Sequence, residues 1–422
     1  MQVAVIGAGY VGLTVAACLA HLGHDVVAAD VVEAKVAALK RGKIPILEEG
    51  LEALVGTGLA EGHLRFVVGA TNAVADAEFI FLCVPTPQGE DGLADMSYVQ
   101  AAAAEIGPLL ESESIVINKS TVPVGSARVV EQALGRSDVF VVSNPEFLRE
   151  GSAVHDFLNP DRIVIGADSQ SAAIRTTELF EGIRAPFVVT DPPTAETIKY
   201  ASNAFLATKV SFVNAIANVC EAVGANVREV VLGMGYDKRI GSEFLKPGPG
   251  WGGSCFPKDS RALVGIARRA GYDFSLLRGV IAVNEEQYER IAAKVMAAAG
   301  GSVDAKRIAV WGLTFKARTD DLRDSPSLAI IERLVKAGAQ VRAYDPSVTS
   351  QLPDMVTVTD PYEACEDAVV LAILTEWDEF RWLDLGLVRT RMASPHLVDA
   401  RNLIEPAAAR RAGFRFTGIG LP

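Results

Sequence analysis

Val3-Ala4-Val5-Ile6 runs into Gly7-Ala8-Gly9-Tyr10-Val11-Gly12, then into a small-residue stretch that stops at Gly23. Four apolar residues suffice for a buried strand and are too few for a helix. The glycines mark a tight strand-to-helix turn, and the stretch behind them predicts a helix to near Leu22, with Gly23 as its C-cap. A second strand over 25–29 is closed by Asp30. Strand, glycine turn, helix, strand and acid in that order specify the opening βαβ unit of a parallel sheet. A GxGxxG string alone is weak evidence; its placement here is what gives it force. In such a unit the glycines admit a pyrophosphate to the helix N-terminus, and the acid accepts from ribose hydroxyls. An acid there repels a 2′-phosphate, so the pattern predicts NAD rather than NADP.

Further strand-like runs at 79–84, 115–118, 139–143 and 162–166 alternate with helical stretches, which continues a parallel sheet covered on both faces. Near residue 190 the pattern changes. Asp191-Pro192-Pro193-Thr194 is a stop and a helix start, and no Gly or Pro interrupts the chain from there to about Val223. Phe205, Phe212, Ile216, Val219 and Val223 form one helical stripe, and Leu206, Val210, Val213, Ala217 and Cys220 a second. Two adjacent stripes predict a helix buried between domains or subunits. A third region opens with strand 307–311 before Gly312, has Ser325-Pro326 as a helix start, and repeats the strand-plus-acid ending at Asp345. The expected division is 1–193, 194–300 and 301–422: two Rossmann-like, doubly wound parallel-sheet domains joined by a central helical domain with one long helix.

Composition narrows the function classes. Among 422 residues, 40 Lys+Arg stand against 52 Asp+Glu, a net charge of -12, which argues against a nucleic-acid or anionic-membrane binder. One small anion held by local cations stays compatible with that balance. Half of the chain is hydrophobic, which argues against disorder. Cys18, Cys83, Cys220, Cys255 and Cys365 are dispersed without a CxxC pair, as expected of reduced thiols in a cytoplasmic protein. No metal-ligand spacing stands out. The uncharged first 20 residues are broken by glycines and read as strand and helix, not as a leader or membrane segment.

Three constellations carry chemistry. Gly250-Trp251-Gly252-Gly253-Ser254-Cys255-Phe256-Pro257-Lys258-Asp259 places a cysteine after a flexible loop, at the start of a helix to about Ala270. Helix N–H groups favour a thiolate, and Asp259 falls one turn along the same face, so Cys255 is a candidate nucleophile with a proton handler. Lys199 and Asn203, also four apart, would be unremarkable on an exposed face; on a buried helix they suit an oxyanion. Asn144-Pro145-Glu146-Phe147-Leu148-Arg149-Glu150-Gly151 follows a strand, where α/β sheets place ligands, although loop carboxylates are often only solvated charges.

These strings, with Cys83-Val84-Pro85-Thr86-Pro87, Ser120-Thr121-Val122-Pro123 and Phe315-Lys316 with Arg323, occur in one order along the whole chain. Together they resemble the nucleotide-sugar 6-dehydrogenases, and most closely the members acting on UDP-glucose. The resemblance implies a four-electron oxidation: UDP-glucose and two NAD+ give UDP-glucuronate and two NADH through a cysteine thiohemiacetal and thioester. It implies Cys255 as nucleophile, Lys199 and Asn203 at the C6 oxyanion, and Asp259 and Thr121 around an ordered water. Glu150 would assist thioester hydrolysis with Glu146 close by. NAD would be held by Gly7, Gly9, Tyr10, Val11, Gly12, Asp30, Lys35, Pro85, Thr86, Thr121, Glu150 and Arg323. The UDP-sugar would meet Phe147, Leu148, Arg149, Glu150, Lys199, Asn203, Phe244, Lys246, Gly252, Lys316 and Arg401, with Arg239 reaching across a subunit interface. The long helix then becomes a homodimer core. Two small departures are Lys35, where some relatives carry Arg, and Trp251, where a smaller aromatic is usual.

The alternatives are a different sugar nucleotide (UDP-N-acetylmannosamine, UDP-N-acetylglucosamine or GDP-mannose), a two-electron hydroxyacid dehydrogenase, and a non-catalytic NAD sensor. Cys255 and the third region disfavour the hydroxyacid enzyme. A sensor would not need Cys255, Lys199 and Asp259 together.

Overall fold

The computed structural model describes residues 1–89 and 94–421. The chain forms two compact units, Met1–Ser202 with Arg261–Gly271, and Asn203–Ser260 with Tyr272–Pro422.

The first unit is built on an eight-stranded sheet: β1 (Gln2–Ile6), β2 (Asp25–Asp30), β3 (Leu64–Val68), β4 (Phe79–Leu82), β5 (Ile115–Asn118), β6 (Phe140–Ser143), β7 (Ile163–Ala167) and β8 (Phe187–Thr190). Its order is β3-β2-β1-β4-β5-β6-β7-β8. The central strands β1 and β4 to β7 carry short apolar runs buried on both faces, as a sheet covered by helices requires, whereas the edge strand β8 exposes Phe187, Val188 and Val189. The order reverses between β1 and β4, which makes a crevice at the carboxyl ends of those strands. Register lines those ends up, since Ile6 pairs with Ala29 and Leu82, Leu82 with Asn118, and Asn118 with Ser143. Gly7, Asp30, Cys83, Lys119 and Asn144, each one residue further, therefore emerge along one edge.

Every neighbouring pair in this sheet is parallel except β6 with β7. Between them lies the helix Ala153–Leu158.

The second unit holds a six-stranded, wholly parallel sheet: β9 (Arg307–Trp311), β10 (Gln340–Tyr344), β11 (Val356–Val358), β12 (Val370–Ile373), β13 (His396–Asp399) and β14 (Arg415–Thr417), ordered β11-β10-β9-β12-β13-β14. It repeats the strand order of the first sheet's first six strands. The helix Ser275–Ala298 buries Ile291 and Val295 in the core of this unit.

The helix Pro192–Val223 begins at the expected stop-and-start. Of its two stripes, Val213, Ala217 and Cys220 are buried, whereas Phe205, Phe212, Val219 and Val223 are at least half exposed on the single chain. Burial within the chain thus accounts for one stripe. Among the described residues this is the one helix long and apolar enough to cross a membrane, by length and composition. Glu196, Lys199, Asn203 and Asn214 on it are buried and hydrogen-bonded to protein groups, as in a core helix.

Candidate functional site

The glycine turn is as tight as its sequence implies. A Cβ on Gly7, at φ +97°, would lie 2.6 Å from the Cys83 carbonyl oxygen, and one on Gly12 would lie 1.8 Å from that of Gly7. Gly9 differs: nothing lies within 4 Å of where its Cβ would be. That open approach, at the N-cap of the helix Tyr10–His21, is what a pyrophosphate needs. Asp30 Oδ2 accepts from the Ala8 N–H at 3.1 Å and from Lys35 Nζ at 2.7 Å, and Oδ1 accepts from the Val32 N–H. Burial opposes ionisation of Asp30, but these donors win and hold its carboxyl below the usual range. The residues fit a dinucleotide.

Tyr10, inside the turn, donates its hydroxyl to Glu48 and accepts from the Gly151 N–H at 2.8 Å. Glu48 also takes the Gly151 and Ala153 N–H groups. The glycine turn thus anchors the loop that ends in Glu150, a tie invisible in the sequence because Glu48 belongs to no motif. Thr86 donates to the Thr121 carbonyl at 2.9 Å, while Pro85 is exposed and Val11, Thr121 and Glu150 are half-buried.

The carboxylates after β6 divide sharply. Glu146 is buried, not a solvated loop charge, and ion-pairs with Lys199 at 2.7 Å, both side chains being at most 5% exposed. Its other oxygen accepts the Leu148 N–H at 2.7 Å, and Lys199 also donates to the Glu146 carbonyl. Burial would raise the Glu146 carboxyl, yet the Lys199 and Lys119 charges and the hydrogen bonds hold it below the ordinary range. The Phe147 ring lies under the Arg162 guanidinium at 3.5 Å and 5.4 Å from Lys199 Nζ. Leu148 packs on the core, and Arg149 points outward to Asp156 at 2.6 Å.

Two groups next to Lys199 were missed by sequence reasoning. Glu196 is buried and accepts from the Gly125 and Ala127 N–H groups and Ser143 Oγ, so it caps the helix Ser126–Leu134 from a distance. Asn118 is buried with neither amide atom hydrogen-bonded. It lines a cavity of about 10 Å3 with Ser120, Thr121, Ser143, Glu196 and Lys199, close to the space of one water.

In the second unit the cysteine loop is pinned, not flexible. Trp251 donates its N–H to Asn284 Oδ1 and its indole N–H to Ser211 Oγ, and its carbonyl accepts from Asn284 and Tyr288. A Cβ on Gly252 would lie 2.0 Å from the Asp324 carbonyl oxygen, and one on Gly253, at φ +81°, 2.8 Å from the Phe315 ring. The glycines thus serve close packing rather than mobility. Trp251, a departure in the motif, is itself the anchor.

Cys255 precedes the helix Phe256–Arg269, and its carbonyl accepts the Asp259 N–H at 2.9 Å. Its Sγ is 3.6 Å from Ser254 Oγ. The other four cysteines are buried, and burial pushes Cys18, Cys83 and Cys365 up to about 12; Cys255 alone is half-buried. Asp259 is fully buried, accepting from Asn203 Nδ2 at 2.6 Å and from Lys258 Nζ at 2.8 Å. Lys258, next to Asp259 in the sequence, was missed by sequence reasoning.

Of the cations expected at a diphosphate, Arg401 donates to the Leu374 and Phe315 carbonyls and pairs with Glu376 at 2.9 Å. Lys316 Nζ lies 5.6 Å from the Phe315 ring centroid. Arg323 and Arg239 are exposed and paired with Asp321 and Asp237. Lys246 is exposed, and Phe244 sits at φ +61° with its ring 6.3 Å from Phe256. The acid that echoes Asp30 is used differently. Asp345 accepts from the Leu313 and Thr314 N–H groups and Trp377 Nε1, and is buried.

Comparison with known proteins agrees with this layout. Residues 1–184, 193–286 and 309–406 match the NAD-binding, central and UDP-binding domain models of the UDP-glucose/GDP-mannose dehydrogenase family. A UDP-glucose 6-dehydrogenase of Rhizobium meliloti is 47% identical over the whole of both chains. The solved structure of a UDP-glucose dehydrogenase from Pyrobaculum islandicum is 36% identical, with TM-score 0.92 over 100% of this chain and 98% of that one. A UDP-D-ManNAc dehydrogenase from Pyrococcus horikoshii is 28% identical, with TM-score 0.88 over 100% and 99%.

Proposed function

The chain belongs to the UDP-glucose/GDP-mannose dehydrogenase family and is an NAD-dependent dehydrogenase, and on that premise we propose that it oxidises C6 of UDP-glucose to the carboxylate through a thioester on Cys255. The observation that carries the thioester is the state of Cys255: half-buried at a helix N-terminus, in a chain whose other four cysteines are buried. A two-electron dehydrogenase has no use for such a thiol.

NAD+, when bound, is the electron acceptor for both oxidations; Gly7 to Gly12, Asp30, Lys35, Pro85, Thr86, Thr121, Glu150 and Arg323 are the residues read as holding it. Lys199 and Asn203 stabilise negative charge on the C6 oxygen. The thiolate of Cys255 adds to the C6 aldehyde, forming a C–S bond and a thiohemiacetal whose further oxidation leaves a thioester. Water, assisted by Glu150 with Glu146 close by, cleaves the C–S bond and returns the thiol, while Asp259 and Thr121 handle the proton through an ordered water. Phe147, Leu148, Arg149, Phe244, Lys246, Gly252, Lys316 and Arg401 are read as the UDP-sugar contacts, with Arg239 from a second subunit. An NAD domain to residue 193, a central domain to 300 and a UDP-sugar domain beyond follow the same reading. So does a homodimer across the exposed stripe of Phe205, Phe212, Val219 and Val223, in the cytoplasm.

The test is a panel of UDP-glucose, UDP-N-acetylmannosamine, UDP-N-acetylglucosamine and GDP-mannose scored for NADH. UDP-glucose is expected to give the highest kcat/KM. Preference for an N-acetylated sugar would favour the second reading, which the Pyrococcus horikoshii neighbour supports.

A further inference from the structure

Lys119 is only 5% exposed, yet among the described residues its side chain donates one hydrogen bond, to a neutral amide, Asn144 Oδ1 at 2.8 Å. Asn144 Nδ2 donates to the Val164 carbonyl at 2.7 Å, which fixes the amide so that its oxygen faces Lys119. The Phe157 ring centroid lies 5.9 Å from the ammonium. Lys119 also starts from a rigid place, since its N–H extends the ladder to the Leu82 carbonyl beyond the end of β5. A buried ammonium without a carboxylate at contact distance is costly, and its field acts on whatever charges share the pocket.

Those charges are few. Glu146 faces Lys119 from the loop after β6, Lys199 from the long helix, and the Cys83 thiol from the end of β4. Glu146 is already ion-paired with Lys199. Glu146 thus faces two buried ammonium groups, Lys199 at contact distance and Lys119 further off.

We propose that Lys119 is a positioning residue for the oxidation: it supplies a second positive charge to Glu146, so that the Lys199 ammonium is not neutralised by that carboxylate and stays available to an oxyanion. This rests on the assignment of Lys199 to the C6 oxygen made above. Burial, reinforced by Lys199 and resisted by Glu146 and Cys83, pushes the Lys119 ammonium down to about 8. The cluster thus carries its extra charge below that pH and loses it above.

The test compares wild type, Lys119→Met and Lys119→Arg in kcat and KM from about pH 6 to about pH 10. Lys119→Met is expected to lower kcat on the order of tenfold at neutral pH. That is less than the loss of a direct oxyanion donor, because Lys119 acts through its neighbours. KM for both substrates should change little, and the fall in kcat near pH 8 should vanish. Lys119→Arg keeps its charge throughout and should extend the wild-type plateau to higher pH. Wild-type kcat in Lys119→Met, or the same fall near pH 8 in Lys119→Arg, overturns the proposal. A wild-type chain inert with UDP-glucose but active on another sugar nucleotide refutes only the sugar assignment, and the comparison is made with that sugar. Inactivity with all four overturns both readings.

Discussion

Replacing Glu146 by Gln keeps the shape of the buried pair and removes its negative charge. In the wild type, Glu146 takes Lys199 Nζ on one oxygen and the Leu148 N–H on the other, each at 2.7 Å. Gln has one oxygen for these two donors, so its amide must turn an NH2 group towards one of them. The Lys199 ammonium would then lose the carboxylate charge that offsets it. Removing one partner of a desolvated pair costs about 3–5 kcal/mol, and at about 2–4 °C per kcal/mol for a unit of this size the melting temperature should fall by roughly 10 °C. Thermal unfolding by circular dichroism, with urea titrations to confirm an unchanged m-value, measures the loss. The sign of the pH dependence is fixed. Glu146 is held below the ordinary carboxylate range when folded, so its contribution is complete above its unfolded value near ~4.3 and is lost as pH falls through the lower folded value. The gap between wild type and variant should therefore be constant near neutrality and shrink in acid. The double variant Glu146→Leu/Lys199→Met, which removes the ion pair but leaves the Lys119 ammonium without the Glu146 charge, should recover part of the loss. A melting shift below about 2 °C in Glu146→Gln, with m unchanged, would refute the picture of a desolvated pair.

Two further substitutions and one direct observation probe other parts of the molecule. Asp30→Ala should weaken NAD+ binding about tenfold, by roughly 1.4 kcal/mol, and narrow the preference over NADP+; fluorescence titration with both cofactors measures it, and unchanged affinities would count against Asp30 as a ribose ligand. Gly252→Ala puts a Cβ 2.0 Å from the Asp324 carbonyl oxygen, so the cysteine loop must shift. NADH production should fall about 10²-fold while the far-ultraviolet circular dichroism stays native, and full activity would show that the loop tolerates displacement. A high-resolution crystal structure should place an ordered water against Asn118 in the small cavity beside Lys199; an unhydrated amide there would contradict the cavity's polar reading.

Much of the fold was legible because it depends on local rules. The turn at Gly7 to Gly12, the acid ending β2, the helix start at Pro192 and the Ser325-Pro326 entry are each fixed by residues close in sequence. The cluster around Lys199 was half legible. Lys199 with Asn203, and Cys255 with Asp259, were picked out by i, i+4 spacing, but the pairing of Lys199 with Glu146 is set by tertiary packing. Lys119 and Glu196 gave no sequence signal, since a lysine after an apolar strand and a glutamate in a first helical turn are ordinary. Their burial decides their meaning. The reversed strand β7 was missed because strand direction is set by the path of the connection after β6, not by the strand's composition. The cysteine loop was misread as flexible because glycines permit both mobility and close packing. Only the atoms beside Gly252 and Gly253 distinguish the two.

One active site is expected to carry out two successive oxidations with Cys255 between them. The most direct measurement is the NADH formed when a limiting amount of UDP-glucose is exhausted, with UDP-glucuronate quantified in the same sample. Two NADH per UDP-glucose, with the yield of acid matching the sugar consumed and sustained turnover lost in Cys255→Ser while NAD+ still binds, is the predicted result. One NADH per sugar with the aldehyde as end product, or undiminished turnover in Cys255→Ser, would contradict it.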